Sequence, residues 1–151
     1  MIGMVSWQAL LAKDALFDSG GIMAKKNVIK AGTPTTSPFS PGLAVDSWVF
    51  VSGQVGIDPV SGTFSKTIKE QTTVTLNNVK GILEAGGVTA ANIVKVTVYM
   101  TDIKQFADMN EAYKKFFEAN KVVDLPTRTT VGVAGLAREG LLVEIDAIAI
   151  K

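Results

Sequence analysis

Leu125-Pro126-Thr127-Arg128-Thr129-Thr130-Val131 and, after a short gap, Leu142-Val143-Glu144-Ile145-Asp146-Ala147-Ile148 decide the fold of this chain. Both stretches read as β-strands, in which successive side chains point to opposite faces of a sheet. In the second, Leu141, Val143, Ile145, Ala147 and Ala149 form an unbroken apolar row, while Leu142, Glu144, Asp146, Ile148 and Ile150 form the other row, with two carboxylates inside it. In the first, Thr129, Val131 and Val133 share one face and Arg128, Thr130 and Gly132 the other. If the apolar rows cover a core, Arg128 and Glu144 are expected to emerge together on the opposite side of the sheet. A guanidinium that can hold an anion, beside a carboxylate that can act as a base, is the beginning of a site.

Working outward, Asn27 to Lys30 reads as a weak strand, followed by a Thr/Ser/Pro loop from Gly32 to Gly42 and a turn at Asp46-Ser47. Trp48-Val49-Phe50-Val51-Ser52-Gly53 is a strand. Thr67-x-x-Glu70 is a capping box for a helix to about Ala85, with Leu76, Val79, Ile82 and Leu83 on one side and Gly86-Gly87 as its stop. Ile93 to Met100 is a strand whose Val94, Val96, Val98 and Met100 form an apolar face. Asp102-x-x-Gln105 caps a second helix with Phe106, Met109, Tyr113, Phe116 and Phe117 as its buried stripe. The order β-β-α-β-α-β-β implies an α+β two-layer sandwich, a mixed sheet with two helices on one face. The uncovered face then holds Trp48, Phe50, Tyr99, Leu142, Ile148 and Ile150, too much apolar surface to leave wet, so oligomerisation through this face is expected, with closed cyclic symmetry.

Composition narrows the chemistry. The 151 residues are 47% hydrophobic and 19% charged, with a net charge of +1 and neither Cys nor His. That fits one domain, here residues 23–151, and excludes Cys or Ser–His nucleophilic systems. Zinc sites ordinarily use the same missing residues, so no metal is expected. Carboxylates, Arg, Lys, hydroxyls, backbone groups and water remain. The scattered basic residues argue against a nucleic-acid partner, and no apolar run approaches the roughly 20 residues that span a bilayer. Residues 1–22 read as an N-terminal extension with a short amphipathic helix at 5–17, an upstream start or an appended leader before Met23. A cytoplasmic location is expected, the cysteine-free chain fitting a reducing compartment. A mitochondrial transit segment is the rival, weakened by Asp14, Asp18 and the lack of Arg.

Each candidate site residue has two readings. Asn110 lies on the apolar stripe of the second helix, where its buried amide needs a partner, either local or a ligand. Ser52-Gly53-Gln54 ends a hydrophobic strand, where a hydroxyl and bare backbone can meet a ligand or simply turn the chain. Arg128 is either an anion anchor or half of a structural ion pair with Glu144, Asp146 or a neighbouring chain.

Together, Ser37-Pro38-Phe39-Ser40-Pro41-Gly42, Phe50-Val51-Ser52-Gly53-Gln54, Val94-Lys95-Val96-Thr97-Val98-Tyr99-Met100-Thr101-Asp102, Met109-Asn110-Glu111-Ala112-Tyr113, Pro126-Thr127-Arg128 and Val143-Glu144-Ile145 resemble the reactive intermediate deaminase family (RidA/YjgF type). The resemblance runs from about Asn27 to Lys151. It implies a chorismate-mutase-like fold, a homotrimer with sites in clefts between subunits, and hydrolysis of 2-imino and 2-enamino acids to 2-oxo acids and ammonia without metal or organic cofactor. It also implies that Arg128 binds the substrate carboxylate, that Glu144 activates water, and that Ser52, Gly53, Asn110, Thr130 and Phe39 line the pocket. Phe39 stands where many active members have Tyr, Thr130 where some have Cys, and the turn Leu136–Leu141 is slightly longer than the family's usual one. The rival readings are a trimeric 2-oxo-acid-binding or regulatory protein, which Phe39 favours, and an RNA-directed translation inhibitor, which the near-neutral charge disfavours. A chorismate mutase ranks last, because its dicarboxylate substrate calls for more than one placed cation.

Overall fold

The computed structural model describes residues 24–31 and 38–151. The N-terminal extension, its helix at 5–17 and most of the Thr/Ser/Pro loop lie outside the described residues. The elements run β1 (Lys26–Ile29), β2 (Gly42–Val45), β3 (Trp48–Val55), α1 (Ile68–Ala85), β4 (Ile93–Met100), α2 (Phe106–Ala119), β5 (Thr127–Gly132) and β6 (Val143–Ile150). They build one six-stranded sheet in the order β1-β2-β3-β6-β4-β5, antiparallel except for the β4–β5 pair. Both helices pack on one face, so the expected α+β two-layer arrangement is observed.

Local chemistry accounts for the elements. The Thr67 hydroxyl accepts from the Glu70 N–H at 3.4 Å and donates to the Glu70 carboxylate at 2.7 Å, capping α1. The core that the helices close over the sheet contains Leu76, Val79, Ile82 and Leu83 from α1 and Met109, Phe116 and Phe117 from α2. Across from them stand Val49, Val96, Val98, Val143, Ile145, Ala147 and Ala149.

Four features differ from the sequence reading. Gly42–Val45 is a strand rather than the end of a loop, pairing with both β1 and β3. It is too short for alternation to reveal, and the Asp46-Ser47 turn that returns it into β3 uses a left-handed Asp46 (φ 52°). Val94 is exposed and Ile93 buried, because a register shift between Ile93 and Lys95 turns the start of β4 over. Asp102 caps a short 3₁₀ turn, Ile103–Gln105, from which α2 continues, and it leaves Phe106 40% exposed.

The fourth concerns β5. Arg128 pairs in register with buried Val96, and its guanidinium lies over rings of α2, so it projects into the helix layer. Glu144 pairs with Tyr99 on the uncovered face. The two charges therefore stand on opposite sides of the sheet, not the same side. Thr129 and Val131, read as the core row, face outward; an edge strand with one Val among threonines has no apolar face strong enough to set its orientation.

Candidate functional site

Glu144 stands opposite Val55 in the last residue pair of the β3–β6 ladder, at the C-terminal end of β3. A register shift between Val51 and Gln54 places Ser52 and Gly53 in a bulge beside it. A side chain at Gly53 would collide with the Glu144 carboxylate: a Cβ there would stand 2.8 Å from Cδ and closer still to Oε1. Glycine is thus what lets the acid lie flat on the β3 backbone. The acid is half-buried, and burial, followed by repulsion from Asp146 two residues on, raises its carboxyl above the ordinary 4.5. Asp146 itself accepts a hydrogen bond from Tyr99 Oη at 3.0 Å. The Ser52 hydroxyl donates to the Ser40 carbonyl at 2.7 Å, and its N–H donates to Pro41 O at 3.0 Å. These bonds tie the loop bearing Phe39, which is 55% exposed, to the Glu144 end of β3.

On the other face, the Arg128 guanidinium carbon lies 4.5 Å from the centre of the Tyr113 ring and 5.6 Å from that of Phe106. Such stacking holds a cation without consuming its in-plane N–H donors. No carboxylate among the described residues pairs with Arg128. It opens onto a cleft of about 530 Å³ shared with Asn110, Tyr113, Phe117, Leu125 and Pro126. Asn110 is half-buried at this cleft rather than buried in the core. The Thr130 and Tyr113 hydroxyls are buried without a hydrogen-bond partner among the described residues, and burial pushes the Tyr113 phenol up to about 12.

The candidate residues therefore fall into two half-sites. Glu144, Gly53, Ser52 and the Phe39 loop form one, on the open side and the β3 end; Arg128, Thr130 and Asn110 form the other, on the helix side at the β5 edge. Sequence reasoning placed Tyr113 only in the core and missed its role beneath Arg128. The available signal was the spacing Asn110-x-x-Tyr113, which puts both residues on one helix face.

Residues 29–151 match the family model described as Endoribonuclease L-PSP. The chain belongs to this RidA/YjgF family. It is 40% identical over 114 residues to the putative reactive intermediate deaminase TdcF of Escherichia coli, covering 76% of this chain and 87% of that protein. It is 34% identical over 129 residues to the 2-iminobutanoate/2-iminopropanoate deaminase of Salmonella typhimurium, covering 85% and 99%. Among solved structures, Escherichia coli TdcF with bound serine superposes with a TM-score of 0.79 at 35% identity, covering 83% of this chain and 98% of that one. The fold is accordingly that of the RidA/YjgF proteins, some of whose members are named deaminases while others bear different names.

Proposed function

We propose that the protein hydrolyses 2-imino acids and their 2-enamino tautomers to 2-oxo acids and ammonia, in clefts where copies of the chain meet as a homotrimer. The observation that carries this reading is the Arg128 guanidinium, stacked on Tyr113 and Phe106 with no carboxylate partner among the described residues. A planar fork held this way suits a substrate carboxylate, which accepts two parallel N–H bonds. The relative named as a 2-iminobutanoate/2-iminopropanoate deaminase and the related structure holding serine, a small 2-amino acid, support the same substrate class.

The chemistry demands little machinery, because the iminium carbon is already electrophilic and needs no cofactor. Glu144 takes a proton from a water as its oxygen bonds to that carbon and the C=N π pair moves to nitrogen. The proton passes from Glu144 to the amine; the hydroxyl then returns its own proton to Glu144 as the carbonyl forms, the C–N bond breaks and ammonia leaves. Burial raises the basicity of Glu144, which suits it to accept that proton. Because Arg128 and Glu144 lie on opposite faces of their own sheet, the anchor of one copy must serve the base of another. The uncovered face, with Trp48 43% and Phe50 40% exposed, supplies the surface on which copies would join.

The test is release of ammonia and oxo acid from imino acids generated in situ. Arg128→Ala is expected to lose most of the acceleration; a variant hydrolysing at the parent's rate removes the anchoring role. Phe39, which has no phenolic hydroxyl, favours a second reading in which the clefts bind 2-oxo acids without catalysis. Binding of 2-oxobutanoate with no acceleration by the parent protein would establish that reading instead.

A further inference from the structure

Of the three amide side chains on helix α1, Asn77 is exposed, while Gln71 and Asn78 lie two turns apart on the side facing the sheet. Neither contacts a half-site directly. Gln71 is completely buried; its Nε2 donates to Ser65 O at 2.8 Å and Gly140 O at 2.9 Å, while its Oε1 accepts from Leu142 N at 2.8 Å. The Asn78 Nδ2 donates to Val55 O at 3.0 Å and Ile57 O at 2.9 Å. Val55 ends β3, Ile57 follows two residues beyond it, and Gly140 and Leu142 lead into β6. The Val55–Glu144 pair is the last of the β3–β6 ladder, where strands fray for want of further rungs. No side chain of Gly53 braces Glu144 from below, and no N–H or hydroxyl donor among the described residues bonds its carboxylate.

We propose that Gln71 and Asn78 are positioning residues for Glu144, clamping the end of β3 and the start of β6 to one rigid helix so that the carboxylate stays against Gly53. The inference rests on the reading of Glu144 as the base and assigns that base its support. Rigid elements with locked hydrogen bonds hold a reacting group within the tolerance catalysis needs, and a misplacement of about 1 Å can cost about 100-fold in rate. The titratable groups sharing Glu144's face are Asp146 on its own strand, Lys95 and Tyr99 on β4, and Lys26 on β1 at the far edge of the sheet; β2, β3 and β5 contribute none to that face.

The experiment uses the full chain with Asn78→Ala and Gln71→Met, measuring kcat, KM, the pH dependence of kcat, and calorimetric binding of 2-oxobutanoate. Each folded variant is expected to lose about tenfold or more in kcat. KM and 2-oxobutanoate affinity should stay within about twofold of the parent, because Arg128 sits on the other face and is untouched. The acid limb of the kcat profile should move to lower pH, since a loosened carboxylate meets water. A folded Asn78→Ala protein with the parent's kcat and acid limb overturns the proposal, as does a lower melting temperature with that limb unmoved. Asn78 is half-buried and decides the matter alone if Gln71→Met does not fold. Glu144→Gln separates the two ideas: parental activity there removes the base itself, whereas its loss beside unaffected amide variants removes only the clamp.

Discussion

Gly53→Ala isolates the geometry of the acid. The new Cβ would stand 2.8 Å from Glu144 Cδ and 3.1 Å from Cγ, whereas resting carbons keep about 3.5–4.0 Å apart. The obstructing atoms are the far end of a flexible side chain, so the glutamate can swing away by roughly 1 Å; an off-rotamer torsion of about 30° costs about 0.5–1.5 kcal/mol. Gly53 does not have a positive φ, so alanine fits its backbone and recovers about 0.4–1 kcal/mol by restricting the unfolded chain. Folding stability should therefore change by less than about 1 kcal/mol. Catalysis should change far more, because a base displaced by about 1 Å loses about 100-fold in kcat. Ammonia release gives kcat, thermal unfolding gives stability, and 2-oxobutanoate binding reports on Arg128, which the substitution does not touch. A Gly53→Ala protein with parental kcat would refute the claim that this carboxylate position is the reactive one. A loss of stability above about 3 kcal/mol would refute the claim that only a flexible end obstructs the site.

The Tyr113 ring and hydroxyl can be tested apart. Tyr113→Phe keeps the shelf under Arg128 and removes a buried hydroxyl that has no partner among the described residues, so chemical denaturation should show a gain of about 1 kcal/mol with little change in KM. Tyr113→Leu removes the shelf; losing a cation–π contact of about 0.5–2 kcal/mol should raise KM by roughly 2- to 30-fold. Glu144 gives a signed pH prediction. Its carboxyl is raised by burial and then by Asp146, so the folded state holds its proton more tightly than the unfolded chain does. Stability is thus lost as pH rises from the ordinary 4.5 through the raised folded value, and Glu144→Gln should melt higher than the parent at neutral pH but not below that window. Equal melting temperatures at neutral pH would show that the acid is not under that load.

What the sequence disclosed follows from how strongly each segment alternates. Helix α1 and strand β6 declared themselves because Thr67, Gly86 and the Val143–Ala149 row are unambiguous signals, and both appear where they were read. Strand β2 was hidden because four residues give too short a run to show a period. The faces of β5 were inverted because Thr129 and Val131 look more core-like than Arg128, although a long guanidinium stem can lie along aromatic rings as comfortably as valine can. The candidate site divides the same way. Arg128, Glu144 and Gly53 were legible as residue types, and Glu144 and Gly53 do meet. Which half-site each residue joins depends on the β4–β5 register and on the bulge at Ser52-Gly53, both long-range matters.

The placement of Arg128 in the helix layer, away from Glu144, resolves a chemical conflict that a shared sheet face would create. Had Arg128 and Glu144 shared one face at contact distance, the guanidinium would have held the carboxyl low and made it a poor base, and the carboxylate would have occupied the donors meant for substrate. Placed on opposite sides of the sheet, each keeps its character: Arg128 rests on aromatic rings with no carboxylate partner among the described residues, and burial, then Asp146, raises the carboxyl of Glu144. Under the proposed assembly the two would approach only across a subunit boundary, with the substrate's own carboxylate between them to neutralise the guanidinium. The division of the half-sites is thus a reason to expect a base that stays basic beside an anchor that stays free, a combination a single protomer's sheet face would not sustain.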